Sequence, residues 1–495
     1  MNTLRDRTIR GGFARLVAQA ANFVLRLGSL VVLARLLRPE DFGLVGMVTA
    51  FTGVLNLFRD FGLSSAAIQR GNVTVAQSST LFWINMLVGL LLGLVTFAMA
   101  PAIAAFYHEP RLVAVTAVAA TGFIFNAAGV QHSVLLQREL RFTALAFINT
   151  ISLVIATAVA VLGAAVGFGY WSLVFMTVAL PFLTTTGCWL MAAWIPGRPQ
   201  RFAGMRSMMN FGGTVTLNGL VYYLASNADK VLLGRIWGVE ALGVYGRAYQ
   251  LINIPTDNLN SAAGEVAFSA LSRLQEDPPR LRNYFLKGYS LILAATLPVT
   301  MACAIFADDV VAVLLGPKWN AVAPIFRALA PTILAFAIVN PLGWLLTSLG
   351  LVRRGLNMAL AISPFMVGAY LLGLRYGPIG VAVAYSSVMM LWVWPAVTWA
   401  VHKTMISSQD LFLAVSRPLV SSVAAGAVAF AVRLAIGQQL PVLARLVLES
   451  AVLVTVFAAM LLFVMRQKSL FLELFRGLKG TSVVVQSEVA PQAGL

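Results

Sequence analysis

Four polar side chains, Arg15, Gln19, Asn22 and Arg26, interrupt an otherwise apolar stretch over residues 13–34 at spacings of four, three and four. Those spacings place all four on one face of a helix. From Arg15 to Arg26 the rise is about 16 Å at 1.5 Å per residue. Arg15 can reach an aqueous surface by extending its stem, but Arg26 is too deep for that. A guanidinium at membrane depth costs at least about 2.5 kcal/mol unless it faces a bundle interior or a wet cavity. There it offers a planar fork of donors suited to an anion such as phosphate. The plainer alternative is an internal salt bridge, for instance to Asp257 or Glu265.

A second stripe runs through Asn210, Thr214, Asn218, Tyr222, Ser226 and Asp229. A third holds Arg247, Gln250, Asp257, Asn258, Ser261 and Glu265, with Pro255 able to bend that helix. The set expected to line a cationic, polar cavity is Arg15, Gln19, Asn22, Arg26, Asn218, Tyr222 and Arg247. Asp257, Glu265 and Asp229 are candidates for taking up a coupling H⁺ or Na⁺, or for pairing with arginine, and the residues leave both open. No cofactor or metal motif appears, and Cys188 and Cys303 both fall inside apolar spans. Isolated amides such as Asn126 and Asn340 read as ordinary interhelical hydrogen-bonding groups.

The elements that must position these side chains are membrane helices. Of 495 residues 59% are hydrophobic and 11% charged, against about 25% charged in a soluble chain. Apolar runs near the length needed to cross about 30 Å of hydrocarbon recur throughout, without the alternation of a barrel. Fourteen helices are expected, at 13–34, 42–58, 81–105, 112–136, 143–163, 170–195, 210–229, 241–268, 286–307, 322–348, 356–374, 379–401, 413–435 and 442–465. The fold class is all-α and polytopic. The net charge of +17 belongs to loops and implies no nucleic-acid partner. With alternating spans, 22 Lys and Arg fall on one side and nine on the other. That bias puts both termini in the cytoplasm. The basic N-terminus leads into no cleavage site, so the first span is expected to stay. The tail over 466–495 reads as a short amphipathic helix followed by a disordered segment.

Residues 31–46, "VVLARLLRPEDFGLVG", recur as 231–246, "VLLGRIWGVEALGVYG", with six of sixteen positions identical at a constant offset of 200. Chance composition gives about one or two. The identities include Arg35/Arg235, Glu40/Glu240 and Gly43/Gly243. The offset spans six helices, so both copies face the same way and form a parallel repeat. The expected lobes are 1–195 and 210–401, joined by a cytoplasmic linker at 196–209, with helices 13 and 14 at 402–465 as an appendix. Pro39 and Glu40 suit the first turn of helix 2, and Gly43 and Gly46 suit close helix approach. The plainer role for Glu40 and Glu240 is as helix caps on the outer surface.

The stretches "LARLLRPEDFGLVGMVTAFTGVLNLFRDFGLSSAAIQR", "LLQRELRF", "SNADKVLLGRIWGVEALGVYGRAYQL" and "AFSALSRLQED" resemble the Wzx-type polysaccharide flippases. These form part of the larger superfamily of multidrug, oligosaccharidyl-lipid and polysaccharide exporters, and the branch resembled is that of colanic-acid and related exopolysaccharide exporters. The resemblance implies a MATE-like pair of lobes rocking around a cationic cavity. It implies transfer of an undecaprenyl-diphosphate-linked oligosaccharide from the inner to the outer leaflet of a bacterial inner membrane, and no enzymatic activity. Implied partners are that lipid, the bilayer, and the polymerase and chain-length regulator of the same pathway. Many multidrug members carry an acid in helix 1; this chain has Arg15 and Arg26 there instead.

Two rivals remain at this level. A multidrug cation antiporter calls for an acidic or aromatic cavity, and this one is basic. A membrane polymerase or ligase calls for an outer cleft or acidic pair. Asp308–Asp309 and Glu40–Asp41 lie on that side, but in loops too short to form a cleft. Reporter fusions are expected to place residues 200 and 350 in the cytoplasm and 168 outside. One reversed result breaks the fourteen-helix arrangement.

Overall fold

A computed structural model describes residues 23–59, 74–199, 205–436, 439–465 and 467. Within it, the side chains of 205–219, 221, 222, 255, 257–263, 265, 266, 268, 269 and 436 are not described. Among the described residues the chain is helical and has no strand. The helices are α1 (23–36), α2 (Pro39–Asn56), α3 (Val75–Tyr107), α4 (Leu112–Arg138), α5 (Phe142–Val166) and α6 (Tyr170–Ala192). A continuous segment Met205–Arg273 breaks at Gly238 into α7 (205–237) and α8 (239–273). Then come α9 (Pro278–Ile305), the short α10 (Ala307–Leu314), α11 (Val322–Ser348), α12 (Val352–Gly373), α13 (Gly377–Val401), α14 (Ser408–Ile436) and α15 (Val442–Ala459). Leaving aside α10, the long helices match the expected fourteen in order. Nine stretches among the described residues are long and apolar enough to cross a membrane. The tail helix expected beyond 466 lies outside the described residues.

Several helices begin earlier than their apolar runs. α3 starts at Val75, where Thr74 Oγ1 accepts from the Gln77 backbone N–H at 3.2 Å and Gln77 Oε1 accepts from the Thr74 N–H at 3.0 Å. At α14, Ser407 and Asp410 make the same reciprocal pair, at 3.2 and 3.0 Å. Asp277 caps α9 by accepting from the Arg280 N–H at 3.2 Å. Capping satisfies the first orphan N–H groups and carries a helix past the apolar segment. Hydropathy reports only the embedded part.

The chain forms two compact units. One comprises residues 1–248, 314–325 and 359–385, and the other 249–313, 326–358 and 386–495. In the first unit α3 packs along α4, α4 along α6 and α5 along α6, and α2 lies against α4 and α6. An apolar cluster including Leu44, Met47, Tyr107, Leu112, Val174 and Leu242 ties one end of these helices together. In the second unit α14 packs against α9 and α15, beside a core that includes Phe285, Tyr289, Leu345 and Leu411.

The repeat is visible in the first unit as reciprocal packing. The α1–α2 turn passes through Arg38, with extended backbone, and the α7–α8 turn through its repeat equivalent Gly238, with φ +82°. Pro39 occupies the first turn of α2 with Glu40 and Asp41, as the sequence implies. A Cβ at Gly43 would overlap the carbonyl oxygen of Val239. A Cβ at Gly243 would overlap the carbonyl oxygen of Pro39. Positions 39 and 239, and 43 and 243, are equivalent at the offset of 200, so each hairpin seats its glycine on the other's backbone. Gly46 has only ordinary contact with Leu242, and Gly246 faces open space. Alanine at Gly43 or Gly243 is therefore expected to cost about 1–3 kcal/mol by overpacking. Gly246→Ala should gain about 0.5–1 kcal/mol from the helix interior. Unfolding of the three variants in detergent checks this contrast.

Candidate functional site

Within the first unit, α2, α4 and α6 enclose a cavity of about 690 Å³. Near the starts of the three helices its wall is apolar, with Val45, Val48, Val115, Ala119 and Val174. Toward their ends it turns polar, with Asn56, Arg59, Asn126, Ser133, Gln137 and Thr184. On α2 and the turn after it, Thr49, Thr52, Asn56 and Arg59 follow at spacings of three, four and three, one face about 15 Å long at 1.5 Å per residue. Arg59 stands at the polar end, its Nε buried and without a hydrogen-bond partner among the described residues. No carboxylate and no lysine is among the described lining residues.

Three of the six hydroxyls among the described lining residues donate to backbone carbonyls. Thr49 donates to the Gly46 carbonyl at 3.0 Å, Thr177 to Val174 at 2.7 Å, and Thr185 across to Phe125 of α4 at 2.7 Å. Asn56 Nδ2 donates to the Thr52 carbonyl at 3.1 Å, and Gln137 Nε2 to Ser133 Oγ at 3.3 Å. The sequence reading assigned Arg59 to a loop and Asn126 to routine helix pairing. The signal for the cavity was present as polar stripes on α2 and α6 (Thr177, Thr184, Cys188), at the same helical spacing that marks Arg15 to Arg26.

Those expected site residues whose side chains are described do not line this cavity. Arg15, Gln19 and Asn22 lie outside the described residues, as do the side chains of Asn218, Tyr222, Asp257 and Glu265. Arg26 is exposed on α1. Arg247 is half-buried, its guanidinium 4.0 Å from the centre of the Phe42 ring, a cation–π stack. Phe42 meets Trp319 edge-on at 5.4 Å, and Trp319 Nε1 donates to the Ala34 carbonyl at 2.7 Å. Asp229 is fully buried on α7. One of its oxygens accepts from the Lys230 N–H and the other from the Tyr245 hydroxyl of α8, both at 2.8 Å. In the hairpin repeat, Arg35, Glu40, Arg235 and Glu240 are all exposed. Arg235 lies 5.7 Å from the Phe106 ring centre. Glu40 is within electrostatic reach of Arg111, whose Nε donates to Glu109 at 2.7 Å. That hydrogen bond holds the Glu109 carboxyl below its ordinary value.

The acidic pair Asp308–Asp309, which left an enzyme in play, is occupied in the second unit. Asp309 is 2% exposed and is gripped by Arg433 of α14 at 3.1 Å and by both ends of the Arg445 fork from α15. Arg433 also donates to the Ile305 carbonyl at 3.1 Å and lies 3.6 Å from the buried Glu449. Asp308 pairs with Arg327 of α11 at 2.5 Å. The pair thus fastens helices together.

Fold and cavity define a multi-pass helical membrane protein with a polar chamber inside its bundle. The family model described as "Polysaccharide biosynthesis protein" matches residues 32–324, and the chain belongs to that family. It is similar to the lipopolysaccharide biosynthesis protein WzxC of Escherichia coli (strain K12), 25% identical over 79% of this chain and 80% of that one. Its fold is that of the lipid II flippase MurJ in an inward closed conformation, with a TM-score of 0.73 at 12% identity over 92% of this chain and 99% of MurJ. An inward-facing multidrug resistance MATE family transporter of the MOP superfamily aligns with a TM-score of 0.62 at 16% identity, over 79% and 96% of the two chains.

Removing one member of the buried ion network should be far more damaging than removing an exposed one. Asp309→Ala is expected to cost about 3–5 kcal/mol, because two arginines lose their buried counter-charge. Arg327→Gln, in a half-exposed pair, should cost about 1 kcal/mol or less. Denaturation of both variants in detergent distinguishes them.

Proposed function

We propose that this chain is a flippase. It carries an undecaprenyl-diphosphate-linked oligosaccharide from the inner to the outer leaflet of a bacterial inner membrane, for exopolysaccharide, O-antigen or capsule synthesis. The observation that carries the reading is the chamber between α2, α4 and α6: neutral polar groups and a guanidinium inside a membrane-crossing bundle. A sugar diphosphate cannot enter hydrocarbon without losing its hydration. Such a chamber replaces that hydration while the prenyl chain stays in lipid.

In this reading the lobes are 1–195 and 210–401 and both termini are cytoplasmic, as the loop charges favour. The ends of α2, α4 and α6 then face the cytoplasm, where the cargo is made. The reciprocal glycine crossing acts as the outer gate. Net transfer requires that the cargo be held differently in the two states. The polymerase and chain-length regulator of the pathway are the partners that would receive the product. A coupling H⁺ or Na⁺ would fall to Asp257, Glu265 or Asp229, and Asp229 becomes reachable only when the α7–α8 hairpin parts. A multidrug cation antiporter is disfavoured, because Arg59 is the charged group in the wall.

Deletion of the gene, followed by mass spectrometry of membrane lipids, should reveal an accumulated lipid-linked oligosaccharide and loss of surface polymer. Complementation with Arg59→Gln or Arg26→Ala should leave the protein in the membrane without restoring polymer. Normal polymer in the deletion strain, with no such lipid, overturns the proposal.

A further inference from the structure

We infer that the chamber between α2, α4 and α6 selects the uncharged sugars nearest the diphosphate, and that Arg59 at its polar end holds the phosphate. This rests on the flippase reading above and specifies which part of the cargo goes where. The basis is the direction of the hydrogen bonds in the wall. Thr49, Thr177 and Thr185 have given their hydroxyl protons to backbone carbonyls. A hydroxyl so committed presents lone pairs to the chamber. Asn56 and Gln137 have each committed one amide proton and keep the other beside an accepting carbonyl oxygen. Thr52, Ser133, Thr184 and Asn126 add groups that can both donate and accept.

Apart from Arg59, the described wall therefore offers neutral donors and acceptors together, and its occupant must do both. Sugar hydroxyls do so, accepting from Asn126 and Thr184. A carboxylate or phosphate only accepts and carries a charge, and apart from Arg59 it meets no cationic side chain among the described lining residues. Arg59 supplies the donors such a group needs, with its Nε still unpartnered among the described residues. The cavity of about 690 Å³ lies within the ordinary span of small-molecule sites, about 300–1,000 Å³. It accommodates a short oligosaccharide, not a polymer. The headgroup thus enters sugar first, with its diphosphate at the mouth, and a uronic acid is excluded from the positions next to the phosphate.

The test uses the full-length protein in lipid nanodiscs, free of sugar-based detergent, with calorimetric titration of three probes. The probes are maltotriose, the same trisaccharide with one ring oxidised to a uronate, and inorganic pyrophosphate. Maltotriose should bind at least ~10-fold more tightly than the uronate, a difference of about 1.4 kcal/mol. Asn126→Leu and Thr184→Val should each weaken maltotriose and leave pyrophosphate binding intact, which also shows that the variants are folded. Arg59→Gln should abolish pyrophosphate binding and spare maltotriose. Equal or tighter binding of the uronate overturns the inference. So does unchanged maltotriose affinity in both chamber variants, or no maltotriose binding to the wild type. If lipid-linked sugars accumulate in the deletion strain while the probe pattern fails, the flippase stands and this inference falls. If the probe pattern holds and no such lipid accumulates, the chamber stands as a saccharide site and the lipid cargo falls.

Discussion

Two backbones touch where α2 and α8 begin, and that crossing organises the first unit. Gly43 rests on the carbonyl of Val239 and Gly243 on that of Pro39. Contact this close is possible only where neither helix carries a Cβ. The reciprocity follows from duplication, because a surface that is its own partner under the repeat must meet itself symmetrically. Once the hairpins are locked, Phe42 comes under Arg247 and against Trp319. Leu44, Met47 and Leu242 can then join one apolar cluster. The ends of α2, α4 and α6 nearest the crossing are thereby filled, and the remaining space lies toward Arg59.

A second constraint acts on every polar group in such a bundle: hydrocarbon offers no hydrogen bonds. Most buried polar groups answer it locally. Asp229 takes a proton donor from each side, Asp309 takes two arginines, and Arg247 takes a ring face. In the wall of the α2–α4–α6 chamber, Thr49, Thr177 and Thr185 answer it by donating to backbone carbonyls.

Much of this was legible in the sequence, and the rest was hidden for a definite reason. Helix number and order followed from apolar length, and the helix 1–2 hairpin followed from Pro39 and from its repetition 200 residues later. Helix starts were displaced where a cap such as Thr74 or Ser407 extends the helix beyond the greasy segment. The depth of Arg247 could be read from its place in a span, but its seat on Phe42 could not, because facing depends on how helices pack. The same limit applied to Arg59 and Asn126. A polar stripe looks alike whether it meets a neighbouring helix or an empty chamber. Asp309 looked available because Arg433 and Arg445 lie more than 120 positions away along the chain.

The two kinds of fastening differ in strength, and the difference matches the work each must do. α14 and α15 are tied to α10 through the buried carboxylate of Asp309, whose loss is expected to be severe. The α1–α2 hairpin is held by milder contacts. Trp319 donates to Ala34 at 2.7 Å, Tyr223 to Thr49 at 3.4 Å and Lys318 to Arg35 at 3.4 Å, alongside the Arg247–Phe42 stack. Each is worth about 0.5–1.5 kcal/mol, so together they come to a few kcal/mol. In the proposed transport cycle this hairpin must shift, and contacts of that size leave two states within reach of each other. An ion pair buried across the crossing would hold it shut against any cargo. Neutral donors on carbonyls and one cation on a ring allow it to close firmly and still open.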